Sequence, residues 1–169
     1  MQRTNHPSLD FPGHRRHRRV TTREGARALN RVATPWWNAR PPHGFGVLTT
    51  SGRKTGKELH SSVRVVRPGS RVYLVSIVGE EADWFRNIRA NPNVKIRIKG
   101  GTFSGVAREI TDTEEREKAR EAFCETIHLT DYIEGILHLR GLPTRAKIQD
   151  MHRRWFREGI PLAIDLSPS

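Results

Sequence analysis

Apolar residues recur at helical spacing in some stretches and at every second position in others, which divides the chain into helices and strands. Thr22 can cap a helix over 22–32, with Ala28, Leu29 and Val32 as its apolar stripe and Pro35 as its stop. From Phe45 the pattern turns to strands at 45–49, 61–66 and 71–78. The last two flank Pro68-Gly69-Ser70 and are expected to form a hairpin. Trp84, Phe85 and Ile88 share one face of a short helix over 82–90, which Asn91-Pro92 ends. The stretch 94–98 alternates strictly between apolar and basic residues, and with the Gly100-Gly101 turn and 102–110 it predicts a second hairpin. Thr111-Asp112-Thr113 caps a helix over 114–126, with Glu114, Glu115 and Glu117 suited to the N-terminal dipole. Residues 130–158 read as helix interrupted at Gly141-Leu142-Pro143, and Ile160–Leu166 as a last strand.

Short strands arranged mostly as hairpins, with helices between and after them, predict an α+β, mainly β fold in which an antiparallel sheet curls into a small barrel. The strands do not alternate regularly with crossover helices, which disfavours a parallel doubly wound sheet. One domain over 21–169 is expected, preceded by a disordered basic arm over 1–20.

Charge adds a partner to this picture. The 169 residues carry a formal +12, and residues 1–40, with nine Arg against Asp10 and Glu24, account for +7 of it. Such an arm suits an anionic membrane surface, an anionic ligand or nucleic acid, and Trp36-Trp37 just after it suits either core packing or an interfacial anchor. No apolar run approaches the ~20 residues of a membrane span, and no signal-like segment opens the chain, so a cytoplasmic, or at most membrane-peripheral, location is expected. One cysteine, Cys124, excludes a disulfide framework and reads as helix packing. The eight histidines show no ligand spacing, so no metal site is expected, and without a Gly-x-Ser-x-Gly elbow a serine hydrolase has no support.

The segment Ser51-Gly52-Arg53-Lys54-Thr55-Gly56-Lys57 runs from a strand into a turn with two glycines, two hydroxyls and three cations. Such a loop can offer backbone N–H groups and positive charge to a phosphate. It is not a Walker loop, which needs four residues between its glycines and Ser or Thr after the Lys. Tyr132, one of two tyrosines, lies in a polar stretch and is a candidate proton donor.

The run from Leu48 to Gly56, followed downstream by Trp84-x-x-Asn87-Ile88-x-Ala90-Asn91-Pro92-x-Val94, resembles the deazaflavin-dependent nitroreductase family of actinobacteria over roughly residues 25–112. The resemblance implies a split β-barrel that binds coenzyme F420, a hydride carrier with a phosphate and a polyanionic oligoglutamate tail. It also implies hydride transfer to a small-molecule acceptor such as a quinone or nitroaromatic. By position, Ser51, Gly52, Arg53, Lys54, Thr55 and Gly56 would hold the tail phosphate, with His60 and Ser61 on the strand that follows. Val75, Ser76, Ile77 and Gly79 would face the ring, and Trp84 and Asn87 would close the site; Tyr132 lies beyond the resemblance and is a catalytic candidate on its polar surroundings alone. The family's Pro-Arg after the loop is Glu58-Leu59 here, its next Pro is Ser62, and its Ser-Lys pair is Ile77-Val78. His60, Arg64 or Arg86 would then supply the missing cations. FMN or haem in the same barrel, and a basic nucleic-acid module, are the alternatives, the last disfavoured.

Overall fold

The computed structural model describes residues 41–139 and 141–168; the expected arm over 1–20, the helix over 22–32 and the Trp36-Trp37 pair lie outside the described residues. Among the described residues the order is β1 (Phe45–Ser51), β2 (Glu58–Arg64), β3 (Arg71–Ser76), α1 (Asp83–Ala90), β4 (Asn93–Ile98), β5 (Gly101–Glu109), α2 (Thr113–Glu125), α3 (Leu129–His138), α4 (Arg145–Glu158) and β6 (Ile160–Leu166). The six strands form one antiparallel sheet in the order β2-β1-β4-β5-β6-β3. It is the expected mainly β split barrel.

The barrel interior is filled from alternate strand positions. Val94, Ile96 and Ile98 point inward from β4, with Leu48, Val72, Leu74, Leu162 and Ile164 from other strands, and Phe85 and Ile88 of α1 close the cluster. A second cluster lies outside the wall, where Tyr73, Ala163 and Val66 meet Ala119, Phe123 and Phe156 of α2 and α4. β3 therefore buries both faces, which explains its unbroken Val-Tyr-Leu-Val run.

The expected β2–β3 hairpin is corrected by the pairing. β2 pairs with β1, Thr49 opposite His60, and β3 pairs with β6, Leu74 opposite Leu162. The Pro68-Gly69 turn survives only as one bridge between Val66 and Tyr73. β2 and β3 are thus the two edges of the sheet, and beyond that bridge they part. The β4–β5 hairpin is as expected, with Ile96 opposite Phe103. Asp112 caps α2 by accepting from the Glu115 N–H at 2.7 Å.

Charges hold the outer layer. Asp165 of β6 accepts from Arg71 of β3 (2.6 Å) and Arg108 of β5 (2.8 Å), and both arginines reach Glu115 of α2 at 2.8–2.9 Å. The arginines hold the Asp165 and Glu115 carboxyls below the usual carboxylate range.

Candidate cofactor and acceptor site

The loop between β1 and β2 is folded on itself. The N–H groups of Thr55 and Gly56 both donate to Gly52 O, at 3.1 and 2.7 Å, and Gly52 N–H donates to Lys57 O at 2.8 Å. Gly56 sits at φ +68°, where a side chain is strained. Asn87 of α1, only 1% exposed, clamps the loop from the side. Its Oδ1 accepts from the backbone N–H (3.2 Å) and Nη1 (3.1 Å) of Arg53, and its Nδ2 donates to Thr50 Oγ1 at 3.2 Å. Asn87 therefore touches the loop rather than lining a cavity, and no local spacing links it to the groups it holds.

This corrects one expectation. The loop does not present a row of backbone N–H groups, because those of Gly52, Arg53, Thr55, Gly56 and Lys57 are satisfied internally or by Asn87. What it presents is charge. Arg53 is pinned by Asn87 and makes one ion pair, with Asp83 at 3.4 Å, whereas the Lys54 and Lys57 side chains are exposed and make no ion pair among the described residues. Three cations against one carboxylate fit a polyanionic group and no neutral one.

Beside the loop lies the end of β3. Ser76 is fully buried and donates from Oγ to Gly79 O at 2.7 Å, which fixes the turn into α1, and Gly79 takes φ +58°. Val75 is half-buried and packs against the outer cluster. Past the Tyr73 bridge, β3 pairs with β6 alone, so the other backbone edge over 75–77 is unladdered. Trp84 is half-buried against the barrel core, edge-on to Phe85 at 6.4 Å. His60 is exposed on β2, its Nδ1 3.0 Å from Thr49 Oγ1, and Ser61 is half-buried beside it. The structure thus gathers the loop, the start of α1 and the end of β3 at one end of the barrel.

Tyr132 belongs to the other end. It is half-buried on α3, which is tied to the end of β2, about 20 Å along that strand from Glu58 at 3.3 Å per residue. Its hydroxyl makes no hydrogen bond among the described residues. The tie is Arg64, which donates to Asp131 through Nε (2.6 Å) and Nη2 (3.2 Å) and to Thr126 O (2.6 Å), and lies 4.0 Å over the Phe123 ring. Arg64 therefore cannot supply a cation to the loop. Arg86, half-buried on α1, donates to Glu80 O at 2.7 Å.

Around Arg64 is a buried polar group that sequence reasoning missed. His152 of α4 is fully buried, 3.9 Å from Asp131, with neither ring nitrogen hydrogen-bonded, and burial lowers its pKa to about 3. Glu134 has a buried, unpartnered Oε2, and burial raises its pKa to about 8. Next to the cluster, a cleft of about 330 Å³ opens between His43, Phe45, Val65, Arg67, Lys99 and His128. It stands away from the cationic loop, so its volume does not mark the cofactor's phosphate end. Cys124 is buried as expected, and burial pushes its thiol pKa up. Among the described residues no group of side chains could hold a metal ion.

A split barrel with an exposed cationic loop beside its parted edge is a framework whose charge suits an anionic ligand. The family model for F420H(2)-dependent quinone reductase matches residues 18–137, well over half of the chain, and the chain belongs to that family. It is an F420-dependent oxidoreductase, and F420 takes the place of the FMN and haem alternatives. Among solved structures, a conserved hypothetical protein from Mycobacterium tuberculosis is 16% identical with a TM-score of 0.50, covering 73% of each chain, and shares the fold. An F420-H2 dependent reductase, FDR-A, is 17% identical over 72% of this chain and 94% of its own (TM-score 0.45). A FAD-binding protein from Mesorhizobium loti is 15% identical over 75% and 83% (TM-score 0.46).

Proposed function

We propose that the protein delivers the reducing equivalents of reduced F420 to a quinone or nitroaromatic acceptor along the parted edge of the barrel. The observation that carries this reading is the loop itself, folded internally and clamped by Asn87 so that Lys54 and Lys57 project their charges outward. Arg53, Lys54, Thr55 and Lys57 hold the phosphate and the acidic tail, with Ser51, Gly52 and Gly56 shaping the turn and His60 and Ser61 flanking it. The unladdered edge over 75–77, Gly79 and Trp84 bound the ring. F420, when bound, supplies a hydride; the chain's part is to orient it and exclude water. Reduction of a quinone also needs a proton at the oxygen that gains charge, and with Tyr132 at the other end of the barrel that proton comes from water at the open edge. The +7 of residues 1–40 draws the enzyme to an anionic membrane, where apolar quinones reside.

The test is a titration with F420. Lys54→Ala with Lys57→Ala leaves the loop's internal bonds and the Asn87 clamp in place. Each lost hydrogen bond to a charge is worth roughly 1.5–3 kcal/mol, so affinity should fall more than tenfold with little change in melting temperature. Fluorescence quenching that gives the wild-type Kd for this double variant would refute the assignment.

A further inference from the structure

We propose that the outer face of α3 docks on an anionic lipid bilayer, an apolar contact separate from the basic N-terminal segment; it rests on the reading of a membrane-borne acceptor. Leu129, Ile133 and Ile136 recur one turn apart along α3 and are 81, 61 and 64% exposed, and Leu142, just beyond the helix, is 84% exposed. Among the described residues, the other exposed large apolar side chains are Leu59 and Val106, at 46 and 47%, and they lie elsewhere. Three such residues on one helix face, with a fourth, Leu142, four residues past the helix, form the kind of patch that soluble surfaces normally lack.

Charge says what covers it. α3 has two acids, and both turn inward: Asp131 is fully buried against Arg64, and the Glu134 Oε2 is buried, with burial keeping that carboxyl protonated to about pH 8. The outer face therefore carries no negative group. The sequence just past it holds Arg140, Arg145 and Lys147; the last two are exposed, with Arg145 3.7 Å from Glu125. An uncharged apolar helix face bordered by cations matches the acyl boundary and headgroups of an anionic membrane. A second copy is the weaker match, since a stable dimer interface takes roughly 20–30 residues on each side and this patch has four. Among the described residues no helix is long and apolar enough to cross a membrane, so the contact is one face of a helix lying on the surface. Docked this way, α3 brings Tyr132 to headgroup level.

The full chain is tested by co-sedimentation with vesicles of phosphatidylglycerol and phosphatidylcholine, against phosphatidylcholine alone. Ile133→Gln with Ile136→Gln changes only exposed side chains, and should lower partitioning onto the anionic vesicles roughly ten- to hundredfold. F420 affinity and reduction of a water-soluble quinone should be unchanged. Ile133→Trp in a chain carrying Trp36→Phe and Trp37→Phe gives a positive signal, a blue shift and quenching by brominated lipid beyond those of the same chain with Ile133. Deleting residues 1–20 should weaken binding but leave the Ile133→Trp shift at saturating vesicle. The inference is overturned if the double variant partitions like wild type, or if its water-soluble quinone reduction falls with binding, which would put the face in the acceptor site. It is also overturned if sedimentation velocity shows a dimer that the double variant dissolves. Vesicle binding that persists in a protein unable to oxidise reduced F420 would instead refute the functional reading and leave the docking face standing.

Discussion

Removing one partner of the Arg64–Asp131 pair should be among the most damaging single changes the chain can take. The two side chains are 4 and 0% exposed, so neither charge can turn to water when the other is lost. Asp131 accepts two bonds from Arg64 and a third, at 2.6 Å, from the His128 N–H at the start of α3. Breaking a buried pair from one side typically costs about 3–5 kcal/mol, because the remaining charge stays buried. For a chain of this size about 2–4 °C of melting temperature corresponds to 1 kcal/mol, so Arg64→Met or Asp131→Leu should melt roughly 6–20 °C below wild type. Arg64→Met with Asp131→Leu removes both charges and should recover most of that loss. The assay is a double-mutant cycle by urea unfolding, with scanning calorimetry as a second probe. If the two single losses simply add in the double variant, the pair does not hold α3 to the barrel and the reasoning fails.

Asn87→Ala releases both the Arg53 bonds and the Thr50 hydroxyl; it should cost about 1–3 kcal/mol of stability and weaken F420 binding several-fold, and unchanged values for both would show that the loop holds its shape alone. Glu134 keeps its proton to about pH 8 in the folded state but loses it near the ordinary value of 4.5 when unfolded, so its burial should lower stability progressively as pH rises from 4.5 to 8. Glu134→Gln should remove that part of the pH dependence in chemical denaturation, and a wild-type-minus-variant difference that stays flat over this range would contradict the buried acid. Gly105→Ala would place a methyl 2.6 Å from the Asp165 carbonyl oxygen, across the β5–β6 ladder, and should cost about 1–3 kcal/mol, which thermal unfolding can measure.

Period and punctuation made most elements legible. The strict alternation of β4 matches its buried and exposed sides, and the Asp112 cap and the break at Gly141-Leu142-Pro143 fall where the residues announce them. The β2–β3 hairpin misled because the local signal at Pro68-Gly69 is real, and forms a bridge, while strand order is set by burial on both faces of β3 and by its match to β6. At the site, the glycines and cations of the loop were readable, since their chemistry is local. Asn87 entered only through the resemblance, because its partners at Thr50 and Arg53 lie far back in the chain. Arg64 and Asp131 are 67 positions apart, and no spacing rule links a strand arginine to a helix aspartate across such a distance.

The place of β6 in the sheet has a consequence for how the chain comes to be folded. β3 makes its only ladder with β6, which is synthesised after four helices and two further strands. Until that strand emerges, the first half can form the β1–β2 and β4–β5 hairpins, but the Val-Tyr-Leu-Val run of β3 has no ladder to join and leaves two apolar faces and a bare edge in solvent. Such long-range closure is slow, and the waiting strand is open to pairing with another nascent chain. A ribosome-bound chain halted before residue 160 would be a client for chaperones, and the parted edge between β2 and β3 would exist only once translation had passed Leu166.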